Sequence, residues 1–303
     1  MVETSSPPFT EHTEQLRRDI DTALEACVRQ PDGCPSHLAQ AIAYSLLARG
    51  KRLRPLLVLM AAEACGGTAK AAMPAACAVE MVHAYSLVHD DLPAMDDDDL
   101  RRGRPTCHKA FGEATAILAG DALLTMAFET MATGVHPPQV AAQCCAALAR
   151  AAGPANMVGG QADDIAAQEG PSRGGRQTLA ALESIHNRKT GAMIRVSLEL
   201  GALVAGADRV QQDALDRYGR RLGLAFQITD DLLDVCSHEA TAGKRVGKDA
   251  ERGKLTFPGL MGVDPSTRRV EQLIQEACEA LNPLATPTDH LETLARYVLE
   301  RNR

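Results

Sequence analysis

Six aspartates fall within the ten residues from Asp90 to Asp99, and Arg101, Arg102 and Arg104 follow at once in HDDLPAMDDDDLRRGRP. A second acidic group, Asp230, Asp231 and Asp234, stands in FQITDDLLD. Carboxylates that crowd one half-buried face repel, and they become tolerable when a cation sits between them. Hard oxygen ligands of this kind suit Mg²⁺, which keeps several waters and shares its other positions with phosphate oxygens. The chemistry on offer is metal-assisted handling of a phosphorylated ligand.

The spacing tells the two groups apart. Asp230 and Asp234 stand at i and i+4, about 40° apart and one turn along a helix, with Gln227 one turn earlier on that face. Leu232, Leu233 and Val235 make the helix one that packs. In the first group Asp96 comes six residues after Asp90, which is about 240° around a straight helix. Pro93 has no N–H for the carbonyl of His89, so the helix should bend or end there and bring Asp96 back beside Asp90. Asp97, Asp98 and Asp99 are read equally well as a solvated acidic run at a helix end.

The cations for a phosphorylated ligand lie elsewhere in the chain. Lys51, Arg52 and Arg54 stand in GKRLRP, Lys189 in RKTG, and Lys244, Lys248 and Lys254 in GKRVGKDAERGK. Arginine gives forked, charge-assisted hydrogen bonds to phosphate, and lysine a mobile point charge. His83 precedes Asp90 by two helical turns on the same face. Arg52, Arg104 and Lys248 are read as surface charges.

These side chains must be carried by helices. Hydrophobic residues make up 45% of the 303 residues and aromatics 3%, with no tryptophan. The long alanine- and leucine-rich stretches favour helix packed on helix. Apolar residues recur at helical spacing over 11–49 with an interruption at 31–35, then over 55–64, 71–91, 120–132, 138–152, 153–166, 177–206 and 208–236, and again after 254. No alternating segment is long enough to argue for a sheet. The expected fold is all-α, a single domain over 1–303 of roughly ten or more helices, with 1–12 as a flexible tail and 237–254 as a polar, glycine-punctuated loop.

The net charge of −7 argues against nucleic acid as a partner. The nine cysteines are scattered without a CxxC pair, as expected of free thiols in a reducing, cytoplasmic compartment. The polar N-terminus lacks the pattern of a signal peptide, and no uninterrupted apolar run approaches the length of a membrane span.

Taken together, GKRLRP at 50–55, HAYSLVHDDLPAMDDDDLRRGRPTCHKAFG at 83–112, GGQADD at 159–164, RKTG at 188–191, FQITDDLLD at 226–234 and GKRVGKDAERGKLTFPGL at 243–260 resemble the short-chain trans-prenyl diphosphate synthases, the bacterial farnesyl type most of all. The resemblance spans nearly the whole chain. It implies the isoprenoid synthase fold, with helices around a central cavity, a homodimer, and the two acidic motifs facing each other across the cavity mouth. It makes Asp90, Asp96 and Asp230 direct ligands of Mg²⁺, three ions in all with substrate bound, and gives Asp91, Asp231 and Asp234 supporting places. By the same resemblance Arg101, Lys189, Thr190, Gln227, Lys244 and Lys254 contact an allylic diphosphate. Lys51, Arg54, His83 and Arg102 form the metal-free isopentenyl diphosphate pocket. The basic end, Arg301 to Arg303, and the loop 237–254 would close over the site.

The implied reaction ionises the allylic diphosphate and adds isopentenyl diphosphate head to tail. Tyr85 and Ser86 set how far the product grows. Tyr85 lies five residues before Asp90, roughly 7 Å along the axis, and its ring could form a floor. In the resembling enzymes a bulky aromatic there accompanies a C15 product, so farnesyl diphosphate is expected; a lower floor would give the C20 geranylgeranyl diphosphate. A class I terpene cyclase and a non-catalytic subunit are the rival readings. The cyclase normally lacks a second DDxxD, and the subunit tends to lose one motif, whereas both are intact here.

Overall fold

The computed structural model describes residues 11–29, 33–168, 178–236, 255–286 and 288–300. The chain enters through α1 (Glu11–Cys27) and α2 (Ser36–Leu46), which lie against α4 (Ala69–Asp90); α3 (Leu53–Ala64) packs along α4 as well. Most of α3 is buried, from Pro55 through Ala62, and α4 is buried over Ala75–Val82. A helix apolar on every side belongs in a core, and α4 is the core helix here. Thr68 starts it, its hydroxyl accepting from the Ala71 N–H at 3.3 Å.

A two-stranded hairpin follows, β1 (Leu100–Arg101) and β2 (Arg104–Pro105), paired antiparallel with Arg101 opposite Arg104. Its turn residues Arg102 and Gly103 both have positive φ, 54° and 75°, the hand that matches strand twist in a tight hairpin. Two residues per strand are too few for alternation to reveal. Beyond it come α5 (Cys107–Phe111), α6 (Glu113–Gly134), α7 (Pro138–Ala152) and α8 (Met157–Gln168). Helix α6 starts seven residues before the expected 120, because Gly112, at φ +84°, turns the chain directly out of α5.

The pattern expected as one helix over 177–206 is divided. It forms α9 (Leu179–His186), a wide π-helical turn (Asn187–Gly191) and α10 (Ala192–Ala205). Then come α11 (Arg209–Cys236), α12 (Phe257–Met261), α13 (Val263–Ala280) and α14 (Asp289–Glu300). Helix α10 crosses α3 closely: a Cβ at Gly201 would run into the carbonyl of Val58. One contiguous core reaches from Leu16 in α1 to Val298 in α14. By length and composition α4 and α6 could cross a membrane, yet 61% of the apolar window of α4 is buried inside this core.

Candidate active site

The first acidic motif is a helix end folded back on itself. After Asp90 the Leu92 N–H reaches the His89 carbonyl at 3.2 Å, and Pro93 ends the pattern. The chain then loops so that the Asp96 N–H donates to the Asp90 carbonyl at 2.8 Å and the Asp97 N–H to Leu92 at 3.1 Å. Asp97 takes the left-handed conformation, φ 49°, to do so. The return of Asp96 to Asp90 expected from Pro93 is therefore present in the backbone. The Asp90 carboxyl is pushed up to about 6, chiefly by burial; Asp96 and Asp91 add to this, and Lys189 and Arg101 oppose it.

Within each aspartate pair the second member faces the protein. Asp91 is buried, 3% exposed, and takes a forked pair of bonds from Arg101, Nε at 2.8 Å and Nη2 at 2.5 Å. Asp231, also buried, accepts the Phe257 N–H at 2.9 Å, and His186 Nε2 lies 3.5 Å from its carboxylate. His186 in turn stacks on the Phe257 ring. Asp96, Asp230 and Asp234 stay half-buried, as does Gln227 one turn before Asp230. Burial lowers the Arg54 guanidinium of α3 below its ordinary range; Glu80 and then Asp230 oppose this, and Arg102 adds to it.

The π turn carries Lys189 and Thr190. Such wide turns often mark functional sites. Lys189 Nζ donates to Asp164 Oδ2 at 2.6 Å, and Arg188 pairs with Asp163. Gly160 lets α8 press on this turn, since a Cβ there would lie 2.8 Å from the Lys189 Cα. Thr190 is buried. Asp163 and Asp164 were visible in GGQADD, but spacing alone gave no sign that they face lysine and arginine 25 residues away.

A basic wall stands beside α4. Arg102 Nη1 donates to the Arg49 carbonyl at 2.5 Å, and Lys51 Nζ lies 5.9 Å from the Tyr297 ring centre. Arg54 Nε is buried without a hydrogen-bond partner among the described residues, an open donor of the kind an anion would satisfy. A pocket here is lined by His83, Glu80, Arg49, Arg101, Arg102 and Asp91, with Ala84 and Leu87 as its apolar part. Arg52, expected as a surface charge, is instead 6% exposed and paired with Glu80 at 2.8 Å and Asp21 at 2.8 Å. Both partners come from distant helices, so local sequence could not place it. Arg104 is exposed and lies over the Tyr44 ring at 4.2 Å.

His83 titrates well below its ordinary range, first because it is buried and then because Arg54, Arg102, Arg101 and Arg52 surround it. The imidazole is neutral in the fold. As pH falls the unfolded chain takes this proton first, near 6.5. The contribution is therefore present above pH 6.5 and lost below it. Melting temperature measured from pH 7.5 to 5 should drop more steeply for the wild type than for His83→Asn; equal slopes would remove His83 as a cause.

Tyr85 is half-buried, edge-on to His89 with ring centres 5.2 Å apart. His89 Nε2 reaches the Ile117 carbonyl of α6 at 3.0 Å. It can lie there because Gly120 has no side chain; a Cβ at that position would collide with the imidazole. The Ser86 hydroxyl donates to the His83 carbonyl at 2.9 Å. Asp97, Asp99 and His108 bring one ligand-type atom each within 4.8 Å of one another, and Asp99 also pairs with Lys109 at 2.7 Å. Lys244, Lys248, Lys254, the proposed closing loop and Arg301 to Arg303 lie outside the described residues.

The donor set fits a divalent metal. Asp90 and Asp96 are brought together by the backbone, both carry hard oxygen ligands, and burial, with Asp96 beside it, disfavours the charge of Asp90 until a cation arrives. An all-helical core with carboxylates at the end of its central helix and arginines alongside defines the isoprenoid synthase class. The Polyprenyl synthetase family profile matches residues 35–286. The chain is 45% identical to farnesyl diphosphate synthase of Escherichia coli K12, over 94% of this chain and 100% of that one. It is 47% identical to geranylgeranyl pyrophosphate synthase 11 of Arabidopsis thaliana, over 97% and 82%. The crystal structure of an FPP/GFPP synthase from Zymomonas mobilis superposes with a TM-score of 0.85 at 36% identity, covering 96% of this chain and 98% of that one. The chain belongs to the polyprenyl synthetase family.

Proposed function

We propose that this enzyme condenses isopentenyl diphosphate with dimethylallyl and then geranyl diphosphate, releasing (E,E)-farnesyl diphosphate. The observation that carries the reading is the presence of two separate anion-binding arrays. Asp90 feels the charge of Lys189, while Arg54, Arg102, Arg101 and Arg52 surround His83 two turns earlier on α4. The first array suits a metal-bound allylic diphosphate, and the second a diphosphate held by protein cations alone. The field of Asp230 on Arg54, second there to that of Glu80, supports placing the second acidic motif close to the basic wall.

Asp90, Asp96 and Asp230 would hold Mg²⁺, three ions with substrate bound, and Asp234 would support them. When bound, Mg²⁺ supplies Lewis-acid stabilisation of negative charge on the leaving diphosphate. Lys189, Thr190 and Gln227 orient that diphosphate, joined by Lys244 and Lys254. Arg101 is oriented by its fork on Asp91 and lends its charge to the same end of the cavity. Lys51, Arg54, His83 and Arg102 fix isopentenyl diphosphate so that its double bond lies next to the ionising carbon, which turns an encounter into an oriented reaction. Neutral His83 donates a hydrogen bond without adding a fifth charge to the four arginines around it. The apolar wall of α4 keeps water from the allylic cation. The departing diphosphate takes the proton lost after coupling.

Exposed Ile117 (43%) and Leu118 (54%) on α6 support assembly as a homodimer. Eight of the nine cysteines stand as free thiols, in keeping with a reducing cytoplasm. Incubation of the purified protein with isopentenyl diphosphate, Mg²⁺ and either dimethylallyl or geranyl diphosphate should yield C15 from both primers. Predominant C20 would favour the geranylgeranyl reading, and a hydrocarbon from farnesyl diphosphate alone would favour a cyclase.

A further inference from the structure

Lys51, Arg54 and Arg102 all depend on one short turn, residues 49–52, between α2 and α3. Arg102 lies across it, its Nη1 on the Arg49 carbonyl, and a Cβ at position 50 would come within 2.6 Å of that same nitrogen and push the guanidinium aside. The turn closes at Arg52, which starts α3 in the left-handed conformation, φ 51°. A residue with a Cβ adopts that conformation only when its surroundings impose it.

The surroundings are unusually complete. The Arg52 guanidinium donates Nε to Asp21 of α1 at 2.8 Å, and Nη1 both to the Leu46 carbonyl at the end of α2, at 3.1 Å, and to Glu80 of α4 at 2.8 Å. Arg52 and Glu80 are 6% and 5% exposed, whereas the Asp21 side chain is 48% exposed. Three helices thus grip one side chain, and its backbone is the hinge between Lys51 and Arg54. Glu80 also precedes His83 by three residues on α4, so it shares that helix face with the fourth member of the same pocket.

We infer that Glu80 and Asp21 are positioning residues for isopentenyl diphosphate: through Arg52 they set the 49–52 turn that aims Lys51, Arg54 and Arg102. Glu80 shares the pocket lining but is taken up by Arg52, and Asp21 lies outside that lining. Neutralising Glu80 leaves a buried guanidinium with one partner fewer, and the turn relaxes away from its left-handed form. Neutralising Asp21 loosens the same grip less, because that contact is partly solvated. The inference rests on the assignment of Lys51, Arg54, His83 and Arg102 to the isopentenyl pocket.

Steady-state kinetics of the whole enzyme with isopentenyl and geranyl diphosphates separates the possibilities. For Glu80→Gln the KM for isopentenyl diphosphate should rise about tenfold or more, and for Asp21→Asn about threefold, with the KM for geranyl diphosphate and kcat within about twofold. Asp21→Asn keeps the test alive should Glu80→Gln fold poorly. A drop in melting temperature with both KM values unchanged would show that the clamp serves only the fold and would overturn the inference. Equal rises in both KM values would overturn it too. Lys51→Ala is the control: if it leaves the isopentenyl KM unchanged, the pocket assignment falls and takes the inference with it. If Lys51→Ala raises that KM and the clamp variants do not, the inference alone fails.

Discussion

Asp90→Asn should lower kcat by about 10³-fold at saturating Mg²⁺ while leaving the substrate KM values within a few-fold. The amide keeps the shape of the carboxylate but is a poor ligand for a hard cation, and Asp90 is the residue at which α4 delivers its charge to the cavity. The variant should nevertheless fold. Burial holds the Asp90 carboxyl at about 6, above its ordinary value, so the metal-free protein loses stability as pH rises from about 4 to about 6, and the whole cost is present above that. At pH 7.5 without metal, Asp90→Asn should therefore melt at or above the wild-type temperature, and added Mg²⁺ with a diphosphate should raise its melting temperature less. Retention of a tenth of the wild-type kcat would exclude Asp90 as a principal ligand. A large loss of melting temperature in the metal-free state would contradict the reading of its environment.

Tyr85→Ala should change what the enzyme makes more than how fast it works. The ring stands five residues before Asp90 on the core helix, roughly 7 Å along its axis, half-buried and edge-on to His89. Truncation to a methyl group opens apolar space in line with the growing chain, because the neighbouring Ser86 is small. Chromatography of the dephosphorylated products should show C20 and longer alcohols replacing most of the C15. Total turnover should fall by less than about tenfold, since no diphosphate contact is altered. An unchanged C15 product would remove Tyr85 as the stop and place the floor deeper along α4.

Helix α4 and its acidic end were legible in sequence because the signals are local. An unbroken apolar helix stops at a proline, and the backbone bond from Asp96 to Asp90 follows from where Pro93 stands. The face shared by Asp230 and Asp234 was legible for the same reason. The division of the pairs was not. Asp91 and Asp231 carry the same local pattern as their neighbours, and only Arg101 and the Phe257 N–H, contributed by other elements, turn them inward. The π turn was hidden because α10 after it is buried on nearly every side, so the rotation of about 100° that one extra residue brings leaves no polar stripe out of phase. Arg52 was misread because its burial depends on partners 31 and 28 residues away.

The bare position at Gly120 ties two helices into one gauge. Only hydrogen separates the α6 backbone from His89, and His89 buttresses Tyr85. Any bulk acquired at 120 would displace the imidazole that packs on Tyr85, although no atom of α4 had been edited. If Tyr85 stops chain growth as proposed, product size is open to drift from position 120 as well, and sequences with identical aspartate motifs and an identical tyrosine would differ in the length of isoprenoid they release.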